Sequence, residues 1–211
     1  MARIERTARP ATTQAGQSDP AVAAVVPIRS FEGMTRLAHD LTAGQRRTLS
    51  RELANRLVRA AHGANLDAVI VTADAAVRRW ATDMGARVVT EPAVDGLDGA
   101  ATVGIASLPT GSWLVVHSDL PAITIEDLAA AKERVRYGTV LAPSHDGGTP
   151  LIGSTGNSFP FRYGPGSFRA HLSAVRGNAS ILIRPGLALD LDRPSDLGAL
   201  TELGYLSRST G

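Results

Sequence analysis

The sequence predicts a three-layer α/β domain built around a mainly parallel central sheet. Two observations predict it. Short apolar runs recur along the chain: "AVAAVVPI" from Ala21, "LDAVIVTAD" from Leu66, "ARVVTEP" from Ala86 and "SWLVVHSD" from Ser112. The first two are continuous enough to be covered on both faces, as strands of a parallel sheet are. Helical patterns fall between the runs, which is the alternation of a sheet wound by crossover helices. At 211 residues the chain can bury the core that such a domain needs.

Each element has its own signal. After the first strand, Leu49, Leu53 and Leu57 recur every four residues among arginines and small residues. They predict an amphipathic helix over 45–62, ended by Gly63. The second strand is followed by a helix from Ala75 to Met84, stopped by Gly85, and then by the third strand. A short helical pattern over 98–108 leads into the fourth strand. Thr124 is placed to cap a helix through Val135, with Glu126 and Asp127 in its positive first turn. "YGTVLAPS" and "TPLIGS" predict two more strands, joined by the polar loop 145–148. "GSFRAHLSAVRG" predicts a short helix with Ser167 as N-cap. "SILIRPGLALDLDRPSDLGALTELG" predicts a strand pair and a final helix. Residues 1–20 read as a disordered tail, 21–206 as the single domain and 207–211 as a C-terminal tail.

Composition narrows the function. There are no cysteines, which excludes disulfides, zinc–thiolate sites and thiol catalysis. No apolar run approaches the roughly 20 residues of a membrane span, and the N-terminus lacks the apolar stretch of a secretory signal. A cytoplasmic protein without a membrane partner is expected. The net charge is +2, Lys132 is the only lysine and aromatics make up 4%. A groove for nucleic acid would need clustered cations and stacking aromatics, so no nucleic-acid partner is expected. A bound phosphate would meet arginine, hydroxyls or backbone N–H groups.

Ligands of such sheets gather at the carboxyl ends of strands. Asp119 sits just past one such end, and by itself is either a turn former before Leu120-Pro121 or a metal ligand. Asp190 and Asp192 are two apart, so in an extended segment both project from one face. They form either a solvated pair before the final helix or a cation site. If both segments share one sheet rim, three carboxylates make a hard-oxygen site suited to magnesium.

Around them, Gly147, Gly148 and Thr149 form either a hairpin turn or an anion contact. Gly164, Pro165, Gly166 and Ser167 precede a helix and serve as a cap, a phosphate or carboxylate seat, or both. Arg29 and Arg36 lie in the loop after the first strand, a usual place for nucleotide phosphates. Asp98 and Gly99 open a helix of small residues that either faces a base or ribose or packs tightly on the sheet. His39, His62, His145 and His171 lack metal spacing and read as surface or packing residues; His117 lies nearest the candidate metal site. No Walker A or G-x-G-x-x-G pattern is present.

Together these segments resemble one family. "VVPIRSFEGMTRLA", "LDGAATVGI", "SDLPAI", "GGTPLIGS", "RYGPGSFRAH" and "LDLDRPSDL" are similar, in order and spacing, to the 2-phospho-L-lactate and phosphoenolpyruvate guanylyltransferases of deazaflavin coenzyme F-420 biosynthesis. The resemblance implies a nucleotidyltransferase-like, Rossmann-like fold and GMP transfer from GTP onto the phosphate of phosphoenolpyruvate or 2-phospho-L-lactate. It implies Mg2+ on Asp119, Asp190 and Asp192 as the catalytic centre. Thr149, Gly164 and Ser167 would hold the acid, and Arg29, Arg36, Asp98 and Gly99 would face GTP. The next enzyme of the pathway is an implied partner. Met34 and Ser118 depart from the family pattern, where lysine and glycine are usual. Two rival readings remain: a related nucleotidyltransferase with another phosphorylated acceptor, and a non-catalytic nucleotide-binding subunit.

Overall fold

The computed structural model of the protein describes residues 22–90, 96–109, 111–202 and 204. The tails expected over 1–20 and 207–211 lie outside the described residues.

Among the described residues seven strands form one sheet: β1 (Ala23–Pro27), β2 (Asp67–Val71), β3 (Arg87–Val89), β4 (Ser112–Val116), β5 (Thr139–Ala142), β6 (Leu151–Thr155) and β7 (Ala179–Ile181). Their order is β3-β2-β1-β4-β6-β5-β7. β6 runs antiparallel to both neighbours, β4 and β5, and every other pairing is parallel. The chain therefore winds outward from β1 in one direction and returns to its other side at β4. The crevice between β1 and β4 is the topological switch point, where ligands of open α/β sheets bind.

Helices cover both faces: α1 (Ala43–Gly63), α2 (Ala75–Asp83), α3 (Gly96–Ala106), α4 (Ile125–Val135), α5 (Ser167–Ala174), α6 (Pro185–Ala188) and α7 (Pro194–Glu202). Strand residues alternate between two cores, as the two-residue period requires. Ala24, Val26, Ile70, Leu114 and Val116 pack with Leu57 and Val58 of α1, Val77 and Trp80 of α2 and Leu128 of α4. Val25, Val69, Val71, Trp113 and Val115 pack with Ala100, Ala101 and Ile105 of α3 and with Phe161. A third cluster, Leu37, Leu53, Leu191 and Leu200, ties the loop after β1 to α1 and α7.

Local chemistry sets the ends. Thr42 and Thr124 start α1 and α4 with reciprocal capping boxes, through Gln45 and Asp127. Asp74 caps α2 by accepting from the N–H groups of Ala76 and Val77. Gly85, with φ 74°, stops the chain after α2.

Three expectations need correction. Gly63 lies inside α1, and the left-handed residue beyond that helix is Asn65. Ser167 is not an N-cap: the cap is Gly166, with φ 70°, and Ser167 is the first helical residue. The strand pair expected over 180–192 is one short strand followed by the single turn α6 and an extended, unladdered segment. Pro185 starts that turn, and Gly186 packs where a Cβ would stand 2.6 Å from the Ala122 carbonyl oxygen. That close approach diverts the chain away from the sheet.

Candidate functional site

Asp119 follows β4 at the switch point, and the segment before α7 lies directly against it. The Leu191 N–H donates to the Asp119 carbonyl, 2.9 Å away. Leu191 is buried, while Asp190 and Asp192 on either side keep partial solvent access. The alternation expected of an extended segment thus survives without a ladder. Asp196 pins the segment by accepting from the N–H groups of Asp192 and Arg193, at 3.1 and 2.7 Å. On its other flank Arg184 donates to Asp127, 2.7 Å, whose other oxygen closes the cap of α4.

The Asp119 carboxylate lacks compensation. Asp119 Oδ1 is buried with no hydrogen-bond partner. Burial pushes the Asp119 carboxyl up to about 6, and nearby Asp192 and Asp146 add to the shift. Burial, with Asp119 and Asp146, likewise pushes Asp190 up to about 6. Hard-oxygen donors crowded together without a cation are the donor set that a divalent ion fits. The trio expected from the sequence is nevertheless not assembled. Among the described residues no three His, Cys, Asp or Glu side chains are arranged to hold a metal ion. Asp192 pairs instead with Arg36.

The loop after β1 forms the opposite wall. A cavity of about 150 Å³ is lined by Ile28, Ser30, Phe31, Gly33, Met34, Ser50, Ser118 and Asp119. A larger cavity, about 610 Å³, lies between α1 and the start of α4 and contains none of the candidate carboxylates. The smaller one adjoins the chemistry. Arg29 is exposed beside it. Met34 adopts the left-handed conformation and packs against the Leu37 cluster, so it anchors the loop through apolar contact.

The three residues expected at the acid divide between a buried pair and an open turn. Thr149 and Ser167 are buried, their hydroxyl oxygens 3.1 Å apart. The Gly164 carbonyl accepts from the Ser167 N–H, 3.0 Å, closing the turn before α5. The Phe168 N–H donates to the Gly147 carbonyl, 3.1 Å, so the 145–148 loop and α5 form one wall. Asp146 shapes that loop, accepting from the Ser144 hydroxyl and the Gly148 N–H at 2.6 and 3.0 Å. Those bonds, the Ser144 hydroxyl first, hold its carboxyl below the usual range.

Asp98, in the first turn of α3, accepts from the Tyr163 N–H, 2.8 Å. It fastens α3 to the loop that carries Gly164, and that carboxylate oxygen is committed to the protein. Gly99 sits half-buried beside it.

Two histidines read from the sequence as surface or packing residues make contacts at the site. His145 lies 3.7 Å from Asp190 and 3.9 Å from Asp196. His171 is fully buried and joins Thr149 to the Arg162 backbone. Neither has a spacing signal, because their partners are distant in the chain. His117, the one expected near the metal site, is neutral: burial pushes it down to about 4, and its Nε2 has no partner.

Residues 22–207 match the family described as Guanylyl transferase CofC like. The chain belongs to this guanylyltransferase family. It shares 34% identity over 195 residues with phosphoenolpyruvate guanylyltransferase of Rubrobacter xylanophilus, covering 87% of this chain and 95% of that one. It shares 34% over 188 residues with 3-phospho-D-glycerate guanylyltransferase of Phenylobacterium zucineum, covering 82% and 86%. A nucleotidyl transferase structure from Methanothermobacter thermautotrophicus superposes with a TM-score of 0.59 at 18% identity, over 88% of this chain and 98% of that one. The α/β fold is thus nucleotidyltransferase-like, and as a CofC-like guanylyltransferase the chain is an enzyme. No helix among the described residues is long and apolar enough to cross a membrane.

Proposed function

We propose that this guanylyltransferase transfers GMP from GTP to the phosphate of a three-carbon phosphorylated acid, phosphoenolpyruvate or 2-phospho-L-lactate, releasing pyrophosphate. The observation that carries the reading is the contact of Leu191 with Asp119, which sets the 190–192 segment against the carboxyl end of β4 at the switch point. The reading includes the F-420 pathway that the family implies, and extends to a cytoplasmic location and hand-over to the next pathway enzyme.

The acid's phosphate is already largely dianionic near neutral pH and needs no general base to attack the α-phosphorus of GTP. The obstacles are orientation and repulsion between two anions. Thr149, Gly164 and Ser167 hold the acid, with the wall between 147 and 168 fixing its position. Arg29 and Arg36 hold the triphosphate, Arg36 leaving Asp192 to do so. Gly99 borders the nucleotide, while Asp98 supports the acid loop from behind. Asp119 and Asp190, joined by Asp192 once Arg36 turns away, would hold Mg2+, which when bound neutralises charge on the phosphates. The unpartnered Asp119 oxygen supports that assignment.

A third acceptor, 3-phospho-D-glycerate, enters through the 34% identity to a 3-phospho-D-glycerate guanylyltransferase, equal to that shared with a phosphoenolpyruvate guanylyltransferase. The test is to incubate the protein with Mg2+, each nucleoside triphosphate and each of the three acids, measuring pyrophosphate and the mass of the adduct. The reading predicts a guanylylated acid from GTP; no pyrophosphate with any acid would overturn it.

A further inference from the structure

We propose that His171 is a positioning residue that fixes the proton direction of the Thr149–Ser167 hydroxyl pair, so that the pair offers one hydroxyl proton to the acid substrate. The inference rests on the proposed role of Thr149 and Ser167.

The direction follows from hydrogen-bond accounting. The Arg162 backbone N–H lies 2.8 Å from His171 Nε2 and can only donate. Nε2 is therefore unprotonated, and the ring proton resides on Nδ1. Nδ1 lies 3.0 Å from Thr149 Oγ1, so it donates there and the threonine oxygen accepts. Thr149 and Ser167 then carry two hydroxyl protons, of which one lies between them across 3.1 Å. The other has no place at His171, because Nδ1 is already a donor. Neither hydroxyl has a further acceptor among the described residues, so that proton is left for a ligand, from whichever oxygen bears it.

The surroundings lock this arrangement. His171 is fully buried, and the Tyr163 ring meets it edge-on with centroids 4.8 Å apart. Phe159 lies on another side, 6.2 Å away. Burial pushes the imidazole down to about 4, so it is neutral across the working pH range. An outward proton is what a carboxylate or phosphate oxygen requires, whereas an outward lone pair would repel it. With an acceptor at position 171 the threonine proton would turn inward and the pair would lose its affinity for an anion.

The experiment measures steady-state kinetics of pyrophosphate release for H171F, H171N and T149V, and for H171F combined with T149V. Asparagine keeps an N–H near the Nδ1 position; phenylalanine keeps only the ring shape. Loss of a directed hydrogen bond to an ionised group predicts a rise of about tenfold or more in KM for the acid with H171F, KM for GTP changing less than about twofold. H171N is expected to restore most of the loss. In the T149V background, H171F should add less than about twofold, because the two residues act as one unit. Should H171F fail to fold, H171N is compared with H171Q, whose amide reaches toward Nε2, and H171N should be the better by about tenfold. An unchanged acid KM, an equal rise in both KM values, no rescue by asparagine or full additivity with T149V would overturn the inference. If the unaltered protein transfers no GMP to any acid, the proposed function falls and this inference with it. Normal wild-type transfer with an unaffected H171F overturns the inference alone.

Discussion

Arg36 and Asp192, 156 residues apart in the sequence, form an ion pair that joins the loop after β1 to the segment before α7. Both side chains are well exposed, at 66% and 39%. Pairs so exposed contribute about 0–1 kcal/mol, so the contact is poorly suited to structural reinforcement. Arg36→Ala is expected to lower unfolding free energy by less than about 1 kcal/mol. It should raise KM for GTP by about tenfold, the loss of one charge-assisted phosphate contact. Urea denaturation and initial rates check the two halves separately.

Asp119 should cost stability in the metal-free protein. Its carboxyl is pushed up to about 6, above the unfolded value, so the native state binds more protons between pH 4 and 6. Stability therefore falls as pH rises through that window and levels off above it. Asp119→Asn removes the penalty. In EDTA the variant should match the wild type near pH 4 and exceed it by about 2 kcal/mol near pH 7. Urea titrations at the two pH values measure this, and a variant less stable at pH 7 would contradict it.

Asp127 links the fold to the site by holding both the start of α4 and Arg184, just ahead of the Asp190 segment. Asp127→Ala removes one half of the capping box and leaves the Arg184 and Thr124 N–H donors without their acceptor. A loss of about 2 kcal/mol is expected. Activity should fall with it, because the extended segment carrying Asp190 loses an anchor. Thermal unfolding followed by kcat/KM at a permissive temperature tests the coupling.

Gly104 places α3 against the sheet so closely that an added Cβ would lie 2.9 Å from Val71 Cγ2 and press on Val25. Both neighbours are fully buried β-branched residues. Gly104→Ala is expected to cost about 1–3 kcal/mol by overpacking. Gly104 is thus explained by packing on the sheet.

Much of the fold was legible because burial on two faces writes itself into β1, β2 and β4 as unbroken apolar runs. Helix ends were legible where caps are local, as at Thr124 with Asp127. Strand order was not. The insertion of antiparallel β6 between β4 and β5 depends on contacts such as Leu114 with Gly153, which leave no mark in either segment alone. The "LALDLD" stretch misled for a related reason: its period of two is that of a strand, but the Gly186 approach to Ala122 sets its path. At the site, the proximity of Asp119 to the 190–192 segment was anticipated from chemistry. The Arg36–Asp192 pair, the commitment of Asp98 to Tyr163 and the bond between His171 and Thr149 were not, because each joins residues remote in sequence.

The most direct measurement titrates Mg2+ against the rate of guanylyl transfer for the wild type, Asp119→Asn and Asp190→Asn, under saturating GTP and acid. The account predicts that each substitution lowers the rate by about a hundredfold or more, several kcal/mol of transition-state stabilisation, and raises the Mg2+ requirement. Either variant working at the wild-type rate with the wild-type Mg2+ requirement would contradict it.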